Sequence, residues 1–336
     1  MFCLRFLIIR MEKIRVNKEK MVSIVVVTYN PKWEKLKSTV LSAILQQGID
    51  FEIIITDDGS ANNYFEELKK LFKMHDFTDY SLLESKKNKG TVYNLKKGVD
   101  AAIGKYIKDI SPGDYFYSDN TIADWIAYVQ LNDVKVSFGK AVYYNDDVQF
   151  NIIKHRTAPK YINGYRYGYN DSTRKEYLLM DDMALGAAVL CEREILNKYL
   201  SLIVDKVKLG EDFAYSLMVF NGIHLNLYDK NVVFYEFGNG VSTSGNERYT
   251  AIMLADWENM HNIMLNCDVE DFFSIRFKQY IKNYNKYRNH VMKRIIKCMI
   301  LPETIWWKFK LSTSKEYFDT NCDIKFLNKI MTSNDA

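Results

Sequence analysis

Runs of β-branched residues alternate with amphipathic stretches over the first 120 residues, and this alternation limits the possible folds most strongly. SIVVVTYN (23–30) and FEIIITDDGS (51–60) are apolar over most of their length, which is typical of strands buried on both faces. WEKLKSTVLSAILQQ (33–47), between them, has apolar residues at helical spacing. Strands separated by helices of this length predict βαβ units, and therefore a parallel sheet with helices on both faces.

The alternation continues beyond residue 60. The further predicted elements are helix 63–75, strand 80–85, helix 91–103, strand 104–110, helix 121–131, two antiparallel strands within 134–150, helix 211–222, and strands 223–228 and 231–237. From Glu247 onward the pattern is helical and contains almost no glycine. We therefore predict an α/β domain over 21–245 and a helical region over 246–336. Residues 1–20 are an extension whose start is open, because Met11 and Met21 are alternative first residues.

Composition excludes several classes of protein. The five cysteines are scattered and odd in number, which favours a reducing cytosol over a disulfide scaffold or a zinc site. The five histidines form no HxH or HExxH pattern. No apolar run reaches the about 18 residues of a membrane span. MFCLRFLIIR at the start is broken by arginines and lacks a small-residue cleavage site, so we do not expect a signal peptide.

Polar clusters follow three of the predicted strands. They are Thr28-Tyr29-Asn30, Asp57-Asp58-Gly59-Ser60 and ISPGD (110–114). Each cluster by itself is equally typical of a turn or a helix cap. Because open α/β sheets bind ligands at the carboxyl ends of their strands, the three together predict one binding crevice.

Five blocks of the sequence, in order, resemble family 2 glycosyltransferases of the GT-A fold. The blocks are VSIVVVTYN, EIIITDDGS, NKGTVYNLKKGVDAAIGKYI, ISPGD and GEDFAYSL, and the resemblance covers roughly residues 21–245. It implies a doubly wound, mostly parallel sheet flanked by helices, with a helical C-terminal region. It also implies a hexosyltransferase that inverts the anomeric carbon, uses a nucleotide-sugar donor and requires Mn²⁺ or Mg²⁺.

The resemblance assigns donor contacts to the first three blocks. It implies that Asp58 accepts a hydrogen bond from the uracil imide, which favours a UDP-sugar, and that Asp57 orients the turn. Many relatives carry arginine where this chain has Tyr93, and Lys89 is the candidate replacement for that charge. The remaining residues implied to line the nucleotide or flank the donor are Thr28, Tyr29, Asn30, Asn88, Gly90 and Asn94.

ISPGD stands where the family usually has an Asp-x-Asp-Asp motif. Ser111, Pro112 and Gly113 replace the upstream acids, and Asp114 matches the final one, which in the family binds the metal. A magnesium ion held by one or two carboxylates plus phosphates is chemically ordinary. Pro112-Gly113 predicts a type II turn that aims Asp114 into the crevice. The alternative is a plain turn at the end of a strand.

The last block carries the implied general base. Asp212 matches the base that deprotonates the acceptor hydroxyl, and Glu211 is its supporting partner. Both acids also suit a helix N-terminus. The preceding loop resembles the acceptor side of the family through Asp181, Asp182, Gly186 and Ala187. GNGVSTSG (238–245) is either a loop that closes over the donor or a linker.

The region 274–310 contains ten Lys or Arg residues and one acid. A face of apolar residues recurs there at helical spacing: Phe273, Phe277, Tyr280, Ile281, Tyr284, Tyr287, Val291 and Ile295. Such a helix either lies on an anionic membrane surface or packs its apolar face on the domain. No known nucleic-acid motif accompanies the charge.

These patterns predict an enzyme that adds one sugar to a glycan or lipid-linked acceptor during surface polysaccharide synthesis, for example of a capsule. We expect it at the cytoplasmic face of the membrane, as a homo-oligomer or with a partner glycosyltransferase. One alternative is a non-catalytic partner subunit that has a reduced acidic motif. A nucleotidyltransferase would need a basic, Gly-rich loop after the first strand, where this chain has TYNPKW.

Overall fold

The structure is a computed structural model and describes residues 20–145, 151–153, 157–238, 247–284, 286–287, 289–313 and 322–332. Almost all of the predicted extension 1–20 and of the loop 238–245 therefore lies outside the described residues. Among the residues that are described, no helix is both long and apolar enough to cross a bilayer.

The strands form one sheet in the spatial order β3-β2-β1-β4-β8-β6-β9-β5, and β7 pairs with β6. Their bounds are β1 Val22–Thr28, β2 Phe51–Asp57, β3 Tyr80–Glu84, β4 Tyr106–Ile110, β5 Tyr115–Phe116, β6 Val136–Asn145, β7 Asn151–Ile152, β8 Val189–Glu192 and β9 Asn226–Glu236. β3, β2, β1 and β4 run parallel, whereas β8 is antiparallel to both of its neighbours.

Helices flank the sheet and make up the C-terminal region. Their bounds are α1 Trp33–Ile44, α2 Phe65–Met74, α3 Thr91–Ala101, α4 Thr121–Leu131, α5 Ile162–Tyr165, α6 Asp171–Met180, α7 Arg193–Ile203, α8 Phe213–Phe220, α9 Glu247–Asn266, α10 Phe272–Tyr284, α11 His290–Ile300, α12 Glu303–Thr313 and α13 Lys325–Thr332. A short 3₁₀ helix lies at Gly186–Ala188. The predicted α/β fold with a helical C-terminal region is confirmed.

Alternate residues of the buried strands feed two cores, one on each face of the sheet. Val25 and Ile54 belong to one core, and Ile24 and Ile53 to the other. The first core also contains residues from α9 to α12: Met260, Phe273, Phe277, Tyr280, Ile281, Leu301 and Trp307. The helical region therefore packs on the α/β part through a shared core, and the division at 245/246 stays a prediction.

The antiparallel pair predicted within 134–150 is wrong, and so is the division of 223–237 into two strands. Residues 136–145 form the single strand β6, and its antiparallel partner β7 begins only at Asn151. Residues 226–236 likewise form the single strand β9, parallel to most of β6. Asp229 and Lys230 fall between the two predicted strands, but they lie within β9 next to an irregularity in the β6–β9 register, which accommodates them in a continuous strand.

Candidate active site

The carboxyl ends of β1, β2 and β4 lie side by side at one edge of the sheet. β1 pairs with β2 through Thr28 and Asp57, and with β4 through Val26 and Ile110. The segments that follow the three strands therefore start from a common edge, which is where open α/β sheets bind ligands. The three polar clusters noted in the sequence are these segments.

The first two segments are locked together by hydrogen bonds. The Thr28 hydroxyl donates to Asp57 Oδ2 at 3.0 Å, and Asp57 Oδ1 accepts from the N–H groups of Gly59 and Ser60 at 3.0 and 2.8 Å. Asn30 Oδ1 accepts from Ala61 N–H at 3.0 Å. These side chains shape the rim of the crevice. The ring of Tyr29, between them in sequence, is about half exposed.

Asp58 holds the loop that precedes α3. Its carboxylate is buried and accepts from Lys89 N–H at 2.9 Å and from Gly90 N–H at 2.8 Å. Burial raises the pKa of Asp58, while these two N–H groups oppose the increase. Asn88, just before them, is exposed. The Lys89 ammonium lies 3.8 Å from the centroid of the Tyr93 ring, which keeps a positive charge at this loop.

Asn94 of α3 connects the ends of β1 and β2 by hydrogen bonds. Its side-chain N–H₂ donates to the carbonyls of Thr28 and Thr56 at 3.1 and 3.0 Å. The side chain is buried, so this amide supports the crevice floor.

The type II turn predicted at 111–114 is confirmed. Asp114 N–H donates to the Ser111 carbonyl at 2.9 Å, and Gly113 has a φ of 104°, which the third position of this turn requires. The Thr39 hydroxyl of α1 accepts from Gly113 N–H at 3.1 Å and donates to the Asp114 carbonyl at 2.9 Å. Ser111 is exposed and Pro112 half-buried.

Asp114 is buried beside a second acid that the sequence analysis did not identify. Glu236, at the end of β9, donates its backbone N–H to Asp114 Oδ1 at 3.2 Å, and its carboxylate forms an ion pair with Lys35. Burial raises the pKa of Asp114 to about 7, and the Glu236 charge adds to the increase, although Lys108 opposes it.

Asp212 lies at the start of α8, as the cap residue before Phe213. Burial and the neighbouring Asp109 raise its pKa to about 7, and Gly186 N–H opposes the increase. Burial and Asp212 also raise the pKa of Glu211 well above its usual range. Asp109 lies on β4, nine-tenths buried, and was not identified from the sequence.

The loop predicted to lie on the acceptor side meets Asp212 at Gly186. A Cβ atom on Gly186 would lie 2.0 Å from Asp212 Oδ1, so only glycine permits this approach. Ala187 follows within the 3₁₀ helix and is half-buried. The Asp182 carboxylate is already occupied, because it accepts from the N–H groups of Lys160 and Tyr161 at 2.7 and 2.9 Å. Asp181 is exposed in a left-handed conformation after α6.

A residue of the C-terminal region forms hydrogen bonds to the segment that precedes Asp212. The buried carboxylate of Asp256, on α9, accepts from the N–H groups of Lys208, Leu209 and Gly210 at 2.9, 2.7 and 3.1 Å. The Lys208 carbonyl in turn accepts from Val92 N–H at 3.2 Å. One carboxylate on α9 therefore fixes both the 208–210 segment and its contact with the start of α3.

The described residues contain no group of three His, Cys, Asp or Glu side chains arranged to hold a metal. Asp114 and Glu236 nevertheless offer two adjacent carboxylates, and burial together with mutual repulsion disfavours the charge of Asp114. This donor set fits a divalent cation that takes its remaining ligands from phosphate and water.

The sequence model of the family described as glycosyl transferase family 2 matches residues 23–200, slightly more than half of the chain. An uncharacterized glycosyltransferase of Methanocaldococcus jannaschii is 27% identical over 179 residues, which cover 53% of this chain and 58% of the relative. One of Rickettsia conorii is 32% identical over 106 residues, covering 31% of this chain and 17% of the relative. The chain thus matches less than two thirds of either relative's length.

Two solved structures share the fold. S. aureus TarS 1–349 in complex with UDP-GlcNAc has a TM-score of 0.55 and 15% identity, covering 85% of this chain and 81% of TarS 1–349. The mannosyltransferase PcManGT of Pyrobaculum calidifontis, in complex with GDP-Man and Mn²⁺, has a TM-score of 0.53 and 12% identity, covering 89% of this chain and 77% of PcManGT. At these identities the likeness supports the fold and nothing finer.

Proposed function

The chain belongs to glycosyl transferase family 2, and on that premise we propose that it transfers a sugar from a nucleotide-sugar donor to an acceptor hydroxyl with inversion. The observation that carries the proposal is the position of Asp212. Its carboxylate meets the acceptor-side loop at Gly186 and interacts with Asp109 near the carboxyl end of β4. The proposed base would therefore lie between the proposed acceptor side and the strand that leads into the Ser111–Asp114 turn.

Asp212 is the proposed general base. A pKa of about 7 suits a group that must be ionised before attack and must hold a proton afterwards. In the proposed step the acceptor hydroxyl gives its proton to Asp212 while its oxygen bonds to the anomeric carbon. The bond from that carbon to the nucleotide diphosphate breaks at the same time. Glu211, whose pKa is raised well above its usual range by burial and by Asp212, is the proposed supporting partner.

Asp58 is the residue proposed to recognise the nucleotide base by a hydrogen bond. Each of its oxygens accepts one backbone N–H, and each retains a second lone pair that an imide N–H of uracil can use. This geometry supports a UDP-sugar, bound over Tyr29 and beside the 88–90 loop. The proposed diphosphate position lies toward Ser111, Pro112 and Gly113.

Asp114 is the proposed metal ligand, with Glu236 beside it. A bound Mn²⁺ or Mg²⁺ supplies positive charge to the leaving diphosphate. The protein's own contribution is to hold the ligand in place, through Thr39 at the turn backbone and the Glu236 N–H on Oδ1.

The proposed acceptor is a surface glycan or a lipid-linked sugar, as in capsule-type polysaccharides, with the enzyme on the cytoplasmic face of the membrane. The contact between Gly186 and Asp212 supports this, because the loop proposed for the acceptor side lies directly beside the proposed base. Asp181, exposed at the end of α6, is the proposed polar contact on that side.

A second candidate function is a non-catalytic, donor-binding partner of an active glycosyltransferase. The observation that favours it is the absence of acids at Ser111–Gly113, where the family usually has two. The two proposals differ in whether bound donor is turned over.

Donor hydrolysis tests the two proposals directly. We would measure UDP or GDP release from a panel of UDP- and GDP-sugars, with and without Mn²⁺, and nucleotide binding by calorimetry. We expect Mn²⁺-dependent UDP release that Asp114→Ala and Asp212→Asn abolish, whereas Glu66→Gln, at an exposed acid on α2, leaves it unchanged. UDP binding without release, insensitive to Mn²⁺ and to Asp114→Ala, would instead support the partner subunit.

A further inference from the structure

α11 carries apolar side chains on its solvent-exposed side, where an ordinary surface helix carries polar ones. All of its residues are described, and none of them is buried. Val291, Met292, Ile295 and Met299 fall within an arc of about 100° on one side of the helix. All four are exposed, Val291 at 62% and Met299 at 76%.

Two lysines of α11 face the protein, together with the partly buried Ile300. Lys293 Nζ lies 3.8 Å from the centroid of the Tyr284 ring, and Lys297 Nζ lies 5.3 Å from that of Tyr280. Both rings belong to α10, so cation–π contacts attach α11 to the protein in addition to the packing of Ile300 on the first core. The apolar arc is consequently left toward solvent.

The apolar face predicted from the sequence is therefore divided between two helices with opposite orientations. Phe273, Phe277 and Ile281 of α10 are buried in the first core, as one of the two sequence-based alternatives held. Val291 and Ile295 of α11 are exposed. Packing on the domain accounts for α10 and leaves the apolar arc of α11 unexplained.

α12 has a second exposed apolar arc. Ile305, Trp306 and Phe309 also lie within about 100° of one another. All three are exposed, Trp306 at 60%, whereas Thr304 and Trp307 are buried and seat the helix on the protein. α12 directly follows α11 and packs against it. Soluble monomers rarely expose this much adjoining apolar surface without a binding function.

The charge around the two apolar arcs indicates which kind of partner can cover them. Residues 274–310 carry ten Lys or Arg residues and one acid, Glu303, which forms an ion pair with Arg276 at 2.7 Å. Arg294 and Lys308 are exposed on the helices that bear the arcs. A second copy of this chain would bring the same positive charge to the interface and be repelled, whereas anionic lipid headgroups complement it.

We propose that α11 and α12 form a docking face that inserts into the headgroup region of an anionic lipid leaflet. Its members are Val291, Met292, Ile295, Met299, Ile305, Trp306 and Phe309. An amphipathic face with aromatic residues and flanking cations is suited to this interfacial position. α12 packs against α6, which ends next to Asp181, so docking would bring the proposed acceptor side close to the lipid. That last step rests on the proposed function, whereas the docking itself does not.

Vesicle co-sedimentation of the full chain tests the docking face. We expect binding to phosphatidylcholine vesicles that contain phosphatidylglycerol to exceed binding to phosphatidylcholine alone by about tenfold, and to weaken in high salt. I295E/M299E should lower the binding by about tenfold or more, because it places two charges in the inserted arc. The matched control, Met74→Glu with Leu131→Glu, changes two exposed apolar residues on α2 and α4 and should bind like the wild type.

Three results would overturn the proposal. They are no vesicle binding by the wild type, equal binding by I295E/M299E, and a dimer in solution that I295E/M299E dissociates in the absence of any lipid binding. Thermal unfolding verifies that the variants are folded. UDP-sugar hydrolysis measured without lipid should be unchanged in I295E/M299E, so failure of the docking face and failure of the proposed catalysis give different results.

Discussion

Asp256→Asn tests whether the C-terminal region is part of the catalytic machinery. The carboxylate of Asp256 accepts three backbone N–H groups, one on Oδ1 and two on Oδ2. An asparagine amide has one oxygen, and its best orientation keeps that oxygen on Leu209 and Gly210. The amide N–H₂ then faces the N–H of Lys208, which loses its acceptor. Asp256→Ala removes all three acceptors.

The magnitude follows from the buried N–H groups. One buried donor without an acceptor costs about 1–3 kcal/mol, so Asp256→Asn should lower the free energy of unfolding by that amount. Asp256→Ala should cost about 3 kcal/mol or more, since the three losses are not simply additive. The released segment runs directly into Glu211 and Asp212, and a displacement of about 1 Å in a catalytic group can cost about 100-fold in rate. We expect kcat to fall about tenfold in Asp256→Asn and about 100-fold in Asp256→Ala.

The assay separates positioning from general damage. UDP release at saturating donor gives kcat, calorimetry gives the Kd for UDP, and urea unfolding gives stability. Asn259→Ala is the control, because Asn259 lies on the same helix and donates to the Lys206 carbonyl at 2.6 Å, two residues before the anchored segment. It should keep kcat within about twofold. A folded Asp256→Ala protein with wild-type kcat would refute the reasoning, and so would equal losses of kcat and UDP affinity.

Three further predictions concern the crevice. Gly186→Ala would place a Cβ 2.0 Å from Asp212 Oδ1, so kcat should fall about 100-fold while calorimetry shows an unchanged Kd for UDP. Glu236→Gln removes one of two adjacent carboxylates, and the Mn²⁺ concentration for half-maximal UDP release should rise about tenfold. The pKa of Asp212 rises from 3.8 to about 7 on folding, so the folded state binds more protons between these values. In metal-free buffer the free energy of unfolding should fall as pH increases through this window, and urea titrations should show a weaker dependence for Asp212→Asn.

Local sequence patterns predicted some residues of the candidate site and missed others for a physical reason. Asp58 and Asp212 belong to short sequence blocks. The end of a strand or the start of a helix in each block indicates where the acidic residue lies. Glu236 meets Asp114 across 122 residues of sequence, a contact that only the β6–β9 pairing creates. Asp109 lies inside a strand, and Asp256 has the spacing of any solvated acid on a helix. Their importance comes from long-range contacts, which no local pattern records.

The orientation of α11 was unpredictable for a related reason. Hydrophobic periodicity gives the angle between the apolar and basic sides of a helix, but it does not say which side faces the protein. On α10 the apolar side is buried, as the usual rule expects. On α11 the decision falls to Tyr280 and Tyr284, whose rings attract Lys293 and Lys297. Two consecutive helices with similar patterns therefore present opposite sides.

The balance of charge in the crevice indicates how one acid in the turn can suffice. The lysines nearest the acids are already engaged: Lys35 with Glu236, Lys97 with the carbonyls of Asp57 and Leu83, and Lys108 buried next to Asp109. A nucleotide diphosphate brings further negative charge, and Tyr93 stands where many relatives have arginine. In the proposed function, countercharge for the diphosphate would come mainly from a divalent cation, with Lys89 as a weaker, exposed contributor. We therefore expect removal of the metal to cost this chain more donor affinity than it costs relatives that carry the arginine.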